Sequence, residues 1–177
     1  FCGFPNTLIP ESVYDKNTAR EILELNSDVF ESIQTDTIST QKAHLVYSIP
    51  ELLLSCINTF FPKAKYIAQQ TTLIHQQISL LTDKIEVFLY FNKNDLNITV
   101  YNASKLLFQN SFNFDSKEDV LYYTLFSLEQ LKLNPNTVKV SILGGLNKES
   151  EIFNLLYEYI RNINYNSAIS QFKFPVT

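Results

Sequence analysis

Hydrophobic and polar residues follow two different rhythms along this chain, and the rhythm changes near Lys84. Residues 4–10 read as the end of a strand closed by Pro10. Ser12 to Asn26 carries helical spacing, with Ala19, Ile22, Leu23 and Leu25 among polar neighbours. Residues 27–41 are polar and rich in Thr and Ser, with Val29, Phe30, Ile33 and Ile38, and predict a short hairpin or a loop. His44 to Ile49 predicts a buried strand around Leu45-Val46-Tyr47. Pro50 suits a first helical turn, and the helix should run to about Phe61, where Pro62 stops it. Tyr66 to Ala68 predicts a short strand, and Thr72 to Leu81 a helix. The order strand, helix, strand, helix over 42–82 predicts parallel β/α packing.

From Ile85 to Phe91 the chain is apolar on both faces, as a central strand is. Leu96, Ile98 and Val100 alternate with Asn97 and Thr99. Lys105 to Phe114 makes a third strand after the Asn102-Ala103-Ser104 turn. Asp115 with Glu118 three residues on approximates a capping box. The helix behind it shows Leu121, Leu125 and Leu128. Val138 to Leu143 predicts a strand, Gly144-Gly145 a turn, Ile152 to Ile160 a final helix, and Gln171 to Phe174 a last strand. The order over 84–174 is βββαβαβ, the ribonuclease-H-like unit from which actin-like folds are built, usually twice. Residues 1–82 then form part of a first actin-like lobe, and 83–177 a complete second lobe. The chain begins with Phe1 and contains no Met, so the first lobe's own strand meander is expected in a segment preceding it.

The net charge of −4 argues against a general nucleic-acid binder, which carries a basic face. Lys63 and Lys65 are the nearest thing to a basic patch and read as solvated surface. Nothing resembles a signal peptide and no apolar run approaches a membrane span, so the cytoplasm is the expected compartment. Cys2 and Cys56 make no metal spacing. Cys56 shares a stripe with Leu53, Ile57 and Phe60 and is expected to be a buried thiol.

Two turns carry the candidate chemistry. Gly144-Gly145, between a strand and a helix, resembles the adenosine loop of actin-like ATPases, where glycine lets adenine and ribose lie against the backbone. A tight strand-to-helix turn needing positive φ accounts for the same pair without a ligand. The phosphate turn of such a site belongs in the preceding hairpin. Here it reads Asn92-Lys93-Asn94-Asp95, with no glycine to bring the backbone close to a phosphate. Asp95 could approach Mg²⁺ through water, but Asn and Asp are also ordinary hairpin residues. His44 and His75 are isolated from other ligand types. Glu21/Glu24 and Glu149/Glu151 read as solvated helix faces. Tyr122-Tyr123, Phe126, Tyr157 and Tyr159 read mostly as core. Adjacent tyrosines cannot face the same way on a helix, so one is expected at the surface, as a hint of a protein partner or self-association.

Leu8-Ile9-Pro10, His44 to Pro50, Phe61-Pro62-Lys63-Ala64, Asp119 to Tyr123 and Leu143-Gly144-Gly145 together, in order and spacing, resemble a family of Bacteroidetes proteins classed as domain of unknown function 3822 (DUF3822). The resemblance implies an actin-like architecture related to pilus and type II secretion proteins of the PilM and GspL kind, without an assigned activity. With the phosphate turn degraded, the expected role is a non-catalytic interaction or assembly module, so that no metal or catalytic residue is assigned and ATP with Mg²⁺ is not expected to bind. The alternative is an ATP-binding or ATP-hydrolysing protein whose phosphate ligands lie in the preceding segment.

Overall fold

The computed structural model describes residues 4–25 and 27–165. Two compact units meet inside one helix, with the division between His75 and Gln76.

The first unit is built on a three-stranded antiparallel sheet of β1 (Asn6–Pro10), β2 (Ser32–Ile38) and β3 (Ala43–Ile49), in the order β1-β3-β2. The central β3 is buried on both faces, apart from the half-buried His44, as its apolar run requires. The segment 4–10 covers one edge of β3, pairing Leu8 with Leu45, while Thr35 pairs with Val46 on the other. Helix α1 (Ala19–Glu24) packs Ala19 and Leu23 against Ile9 and Val46. It is shorter than its periodicity predicts. Asp15 accepts from the Asn17 backbone N–H through its carboxylate, and from Thr18 N–H through its carbonyl. Such Asx turns compete with helix formation.

Parallel β/α packing over 42–82 is not what forms. Helices α2 (Glu51–Phe60) and α3 (Gln69–Ile78) follow one another with no strand at 66–68. The Ala68 N–H, which a strand would give to a ladder, goes to the Asp36 carboxylate at 2.8 Å. The same carboxylate accepts from the Thr71 hydroxyl at 2.7 Å and the Tyr47 hydroxyl at 3.2 Å. Asp36 thus ties β2 to β3 and to the start of α3. Burial and the Asp36 charge push the Tyr47 phenol well above its usual range. Cys56 is exposed rather than buried. No residue of α2 is buried, and Phe60 from the same stripe is 76% exposed.

The second unit realises βββαβαβ in full. Its sheet contains β4 (Ile85–Asn92), β5 (Asp95–Asn102), β6 (Lys105–Asn113), β7 (Lys139–Gly144) and β8 (Asn162–Tyr165), ordered β6-β5-β4-β7-β8. The first three are an antiparallel meander, and β7 adds parallel to β4, as the crossover through α4 (Lys117–Gln130) demands. β8 adds parallel to β7. It begins at Asn162, where the sequence predicts the end of a helix, because α5 spans only Glu151–Tyr159. The strand expected at Gln171 to Phe174 lies outside the described residues. Val87, Leu89, Phe91, Leu96, Ile98, Val100, Val140 and Ile142 share one core with Val120 and Leu128 of α4 and Phe153 and Leu156 of α5.

The other sheet face is buried and mixed in polarity. Tyr101 donates to Gln77 Oε1 at 3.2 Å, and Thr99 donates to Asn97, which donates to Ser111. The capping box forms one residue later than expected. Ser116 Oγ accepts from Asp119 N–H, while the Asp119 carboxylate accepts from Ser116 N–H at 2.9 Å.

Candidate functional site

The two turns singled out in the sequence lie side by side. The parallel register of β4 and β7 ends on the pair Phe91–Gly144, and the next residue of β4, Asn92, opens the hairpin. The hairpin closes on the pair Asn92–Asp95, leaving Lys93-Asn94 as a two-residue loop. Short hairpins need a left-handed first residue to match strand twist. Lys93 supplies it at φ 53, where a lysine is costlier than a glycine. The Asn94 carbonyl accepts from Phe114 N–H at 2.9 Å, so the loop backbone is tied to the segment beyond β6.

The two glycines do different work. Gly144 is buried, at φ +87, and a β-carbon there would sit 2.2 Å from the Phe91 carbonyl oxygen. It is glycine because β4 and β7 close on each other and the chain reverses at that point. Gly145 is exposed and outside the left-handed region, and a β-carbon there would meet only the Phe91 oxygen, at 3.9 Å. Its N–H donates to that same carbonyl at 2.9 Å. The turn is therefore locked to the stem of the hairpin by one backbone bond.

A helix does not start directly behind the glycines. Leu146 to Ser150 intervene, and α5 begins at Glu151. Its first turn is closed by the protein itself: Ser150 Oγ accepts from Phe153 N–H at 3.2 Å. The Glu151 carboxylate in that turn pairs with Lys117 at 2.8 Å, which holds the carboxyl below and the ammonium above their usual ranges.

A family model for a protein of unknown function, DUF3822, matches residues 4–163. The chain belongs to the DUF3822 family. It is also similar to a crystal structure from Bacteroides thetaiotaomicron VPI-5482, of a protein with actin-like ATPase fold and unknown function. That match has a TM-score of 0.88 at 20% identity and covers 96% of this chain and 67% of the other. The DUF3822 chain thus has an actin-like ATPase fold. No curated protein matches it.

Such a fold implies ATP and Mg²⁺, and the residues around these turns do not suit them. The hairpin presents a lysine backbone where a glycine would admit a phosphate. The N-terminus of α5, which would attract an anion, carries its own serine cap and an acidic residue. Among the described residues, no three His, Cys, Asp or Glu side chains gather as a metal site. His44 instead stacks on Tyr14 at 3.9 Å, and His75 is exposed. Glu21, Glu24, Glu149 and Glu151 are all exposed, as their pattern predicts. Among the described residues, no helix is long and apolar enough to cross a membrane.

Two features were at most partly legible in the sequence. Glu86, at the far end of the β4–β7 pairing, is buried and accepts from Thr82 Oγ1 at 2.7 Å and Lys139 Nζ at 2.9 Å. It reads as an apolar-strand position until Lys139 is placed opposite it. The second is the aromatic set expected to be mostly core. Tyr123 does stack on Phe112 at 4.5 Å, but Tyr122, Phe126, Tyr157 and Tyr159 are 44% to 62% exposed. One of the two adjacent tyrosines was expected at the surface, and Tyr122 is that residue; Phe126, Tyr157 and Tyr159 join it because the sheet takes up other residues of α4 and α5.

Proposed function

We propose that this chain is a non-catalytic interaction or assembly module on an actin-like fold, with a degenerate nucleotide site, acting in the cytoplasm. The observation that carries the reading is the pairing of the Gly144-Gly145 turn with a glycine-free hairpin, Asn92-Lys93-Asn94-Asp95. Adenosine stacking against Gly145 without phosphate contacts supports an affinity no better than ~1 mM, worth about 4 kcal/mol. Calorimetry with Mg·ATP is the test, and micromolar binding would overturn the reading.

One observation favours an ATP-binding or ATP-hydrolysing protein instead. Gly145 is exposed, and a β-carbon there would meet only the Phe91 oxygen, at 3.9 Å, so its backbone can be approached from outside. That reading requires phosphate ligands that these two turns do not supply, and micromolar Mg·ATP binding in the same calorimetry would favour it.

A further inference from the structure

Helix α4 carries more apolar surface than its core side uses. The residues it buries are Val120, Thr124, Ser127 and Leu128, two of them polar. Thr124 satisfies its hydroxyl on the Val120 carbonyl at 2.7 Å, and Ser127 Oγ has no partner. Tyr122 and Phe126 face outward, beside Leu121 and Leu125, which are partly buried against the core. Glu118, Leu121, Tyr122, Leu125, Phe126 and Glu129 line a shallow groove of about 280 Å³. These positions follow the spacing of one helix face. Tyr122 is 61% and Phe126 44% exposed, and their rings stack at 5.7 Å with an 18° tilt. Each thus holds the other in place before anything binds, which lowers the entropy cost of docking.

The charges select the occupant. The apolar stripe is bracketed by two carboxylates, about 16 Å apart along the helix axis at 1.5 Å per residue, and no lysine or arginine lines it. Lys117, one residue from Glu118, is engaged with Glu151. A second copy's α4 would set Glu118 against Glu129 if antiparallel, and each glutamate against itself if parallel. Both arrangements oppose like charges around an apolar centre.

We propose that the outer stripe of α4 docks an amphipathic helix of a protein partner, whose apolar face is bracketed by lysines or arginines at matching spacing. Apolar anchors of the partner would lie in the groove between Leu121, Tyr122, Leu125 and Phe126, in the helix-in-groove manner. The proposal rests on the interaction-module reading and names the surface and the partner chemistry.

The test uses two synthetic helical peptides that share a Leu/Phe stripe and differ only in having Arg or Glu at the two bracketing positions. Fluorescence anisotropy with the 177-residue chain should show the Arg peptide binding about 10-fold or more tightly than the Glu peptide, with the gap closing at high salt. Glu118→Lys with Glu129→Lys should reverse the preference. Tyr122→Ser with Phe126→Ser should remove binding of both while thermal unfolding and circular dichroism stay near wild type. Equal affinity for the two peptides, no binding of the Arg peptide, or unchanged binding by the aromatic double variant overturns the proposal. So does a wild-type dimer in sedimentation that the aromatic double variant dissolves, since a second copy would then be the occupant. Micromolar Mg·ATP binding with the peptide preference intact would sink the non-catalytic reading and leave this surface standing.

Discussion

Alanine at the two adjacent glycines should have sharply different consequences. At Gly144 the new β-carbon would lie 2.2 Å from the Phe91 carbonyl oxygen and 3.0 Å from Phe91 N, at a φ of +87. The left-handed conformation alone costs an L-residue about 1–2 kcal/mol. The collision is with backbone of a paired strand, so it cannot be relieved by a rotamer change. Relief means moving β7 off β4, which adds about 1–3 kcal/mol of packing strain. It also stretches the Gly145 N–H bond to Phe91 O, a further ~1 kcal/mol. The total is on the order of 3–6 kcal/mol, a fall in melting temperature of roughly 6–24 °C for a chain of this size. At Gly145 the β-carbon meets only ordinary contact at 3.9 Å. Gly145→Ala should therefore stay within about 1 kcal/mol of wild type, and it narrows the unfolded ensemble, which favours the fold. Thermal and urea unfolding of both variants, with exchange of the Gly145 amide as the local probe, read the contrast. Equal destabilisation by the two substitutions, or an unaffected Gly144→Ala, would refute the division of labour argued from the close approach of β4 and β7.

Two further outcomes follow from α4. Ser127→Ala removes a buried hydroxyl that has no partner, so stability should hold or rise by up to ~1 kcal/mol in urea unfolding; a clear loss would mean that Ser127 Oγ bonds a buried water. Backbone hydrogen bonds from Asp115 and the Ser116 side chain and backbone hold the Asp119 carboxyl below its usual range. A depressed carboxyl stabilises the fold above its unfolded pKa and loses that contribution as pH falls through its folded pKa. The melting gap between wild type and Asp119→Asn should therefore be present at pH 5 and close progressively below about pH 4. A gap that stays constant to pH 2 would remove the capping box from the account.

How much of this fold was legible depended on how many faces of each element the core claims. β4 and β5 are buried on both faces, and their apolar runs, short turns and order led directly to the observed meander. The 27–41 segment, readable only as a short hairpin or a loop, holds the strand β2, an edge with a polar, half-exposed face whose pairing is specified by β3. α1 was overextended because Asp15 spends its hydrogen bonds on a local turn. The glycine pair was legible as a turn, but not the fact that one glycine is obligatory and its neighbour is free. That difference comes from the Phe91 carbonyl, which is remote in sequence and adjacent only once the parallel register is set.

The packing of α4 bears on function. Its leucine stripe packs as expected, with Leu128 buried and Leu121 and Leu125 partly buried against the core, beside Val120, Thr124 and Ser127. Periodicity phases a helix only when one side is plainly polar. α4 has more apolar positions than one side of a sheet can cover, so its sequence is compatible with more than one rotation about its axis. Packing against β4, β5 and β7 chose the rotation that satisfies the core. The surplus, Tyr122 and Phe126 with the flanks of the two leucines, was left facing outward between two glutamates. A helix that needed only to hold the sheet could have carried lysine or glutamine at those positions without any loss to the core. Their apolar character is therefore unexplained by folding, and a partner helix is the kind of occupant that would account for it.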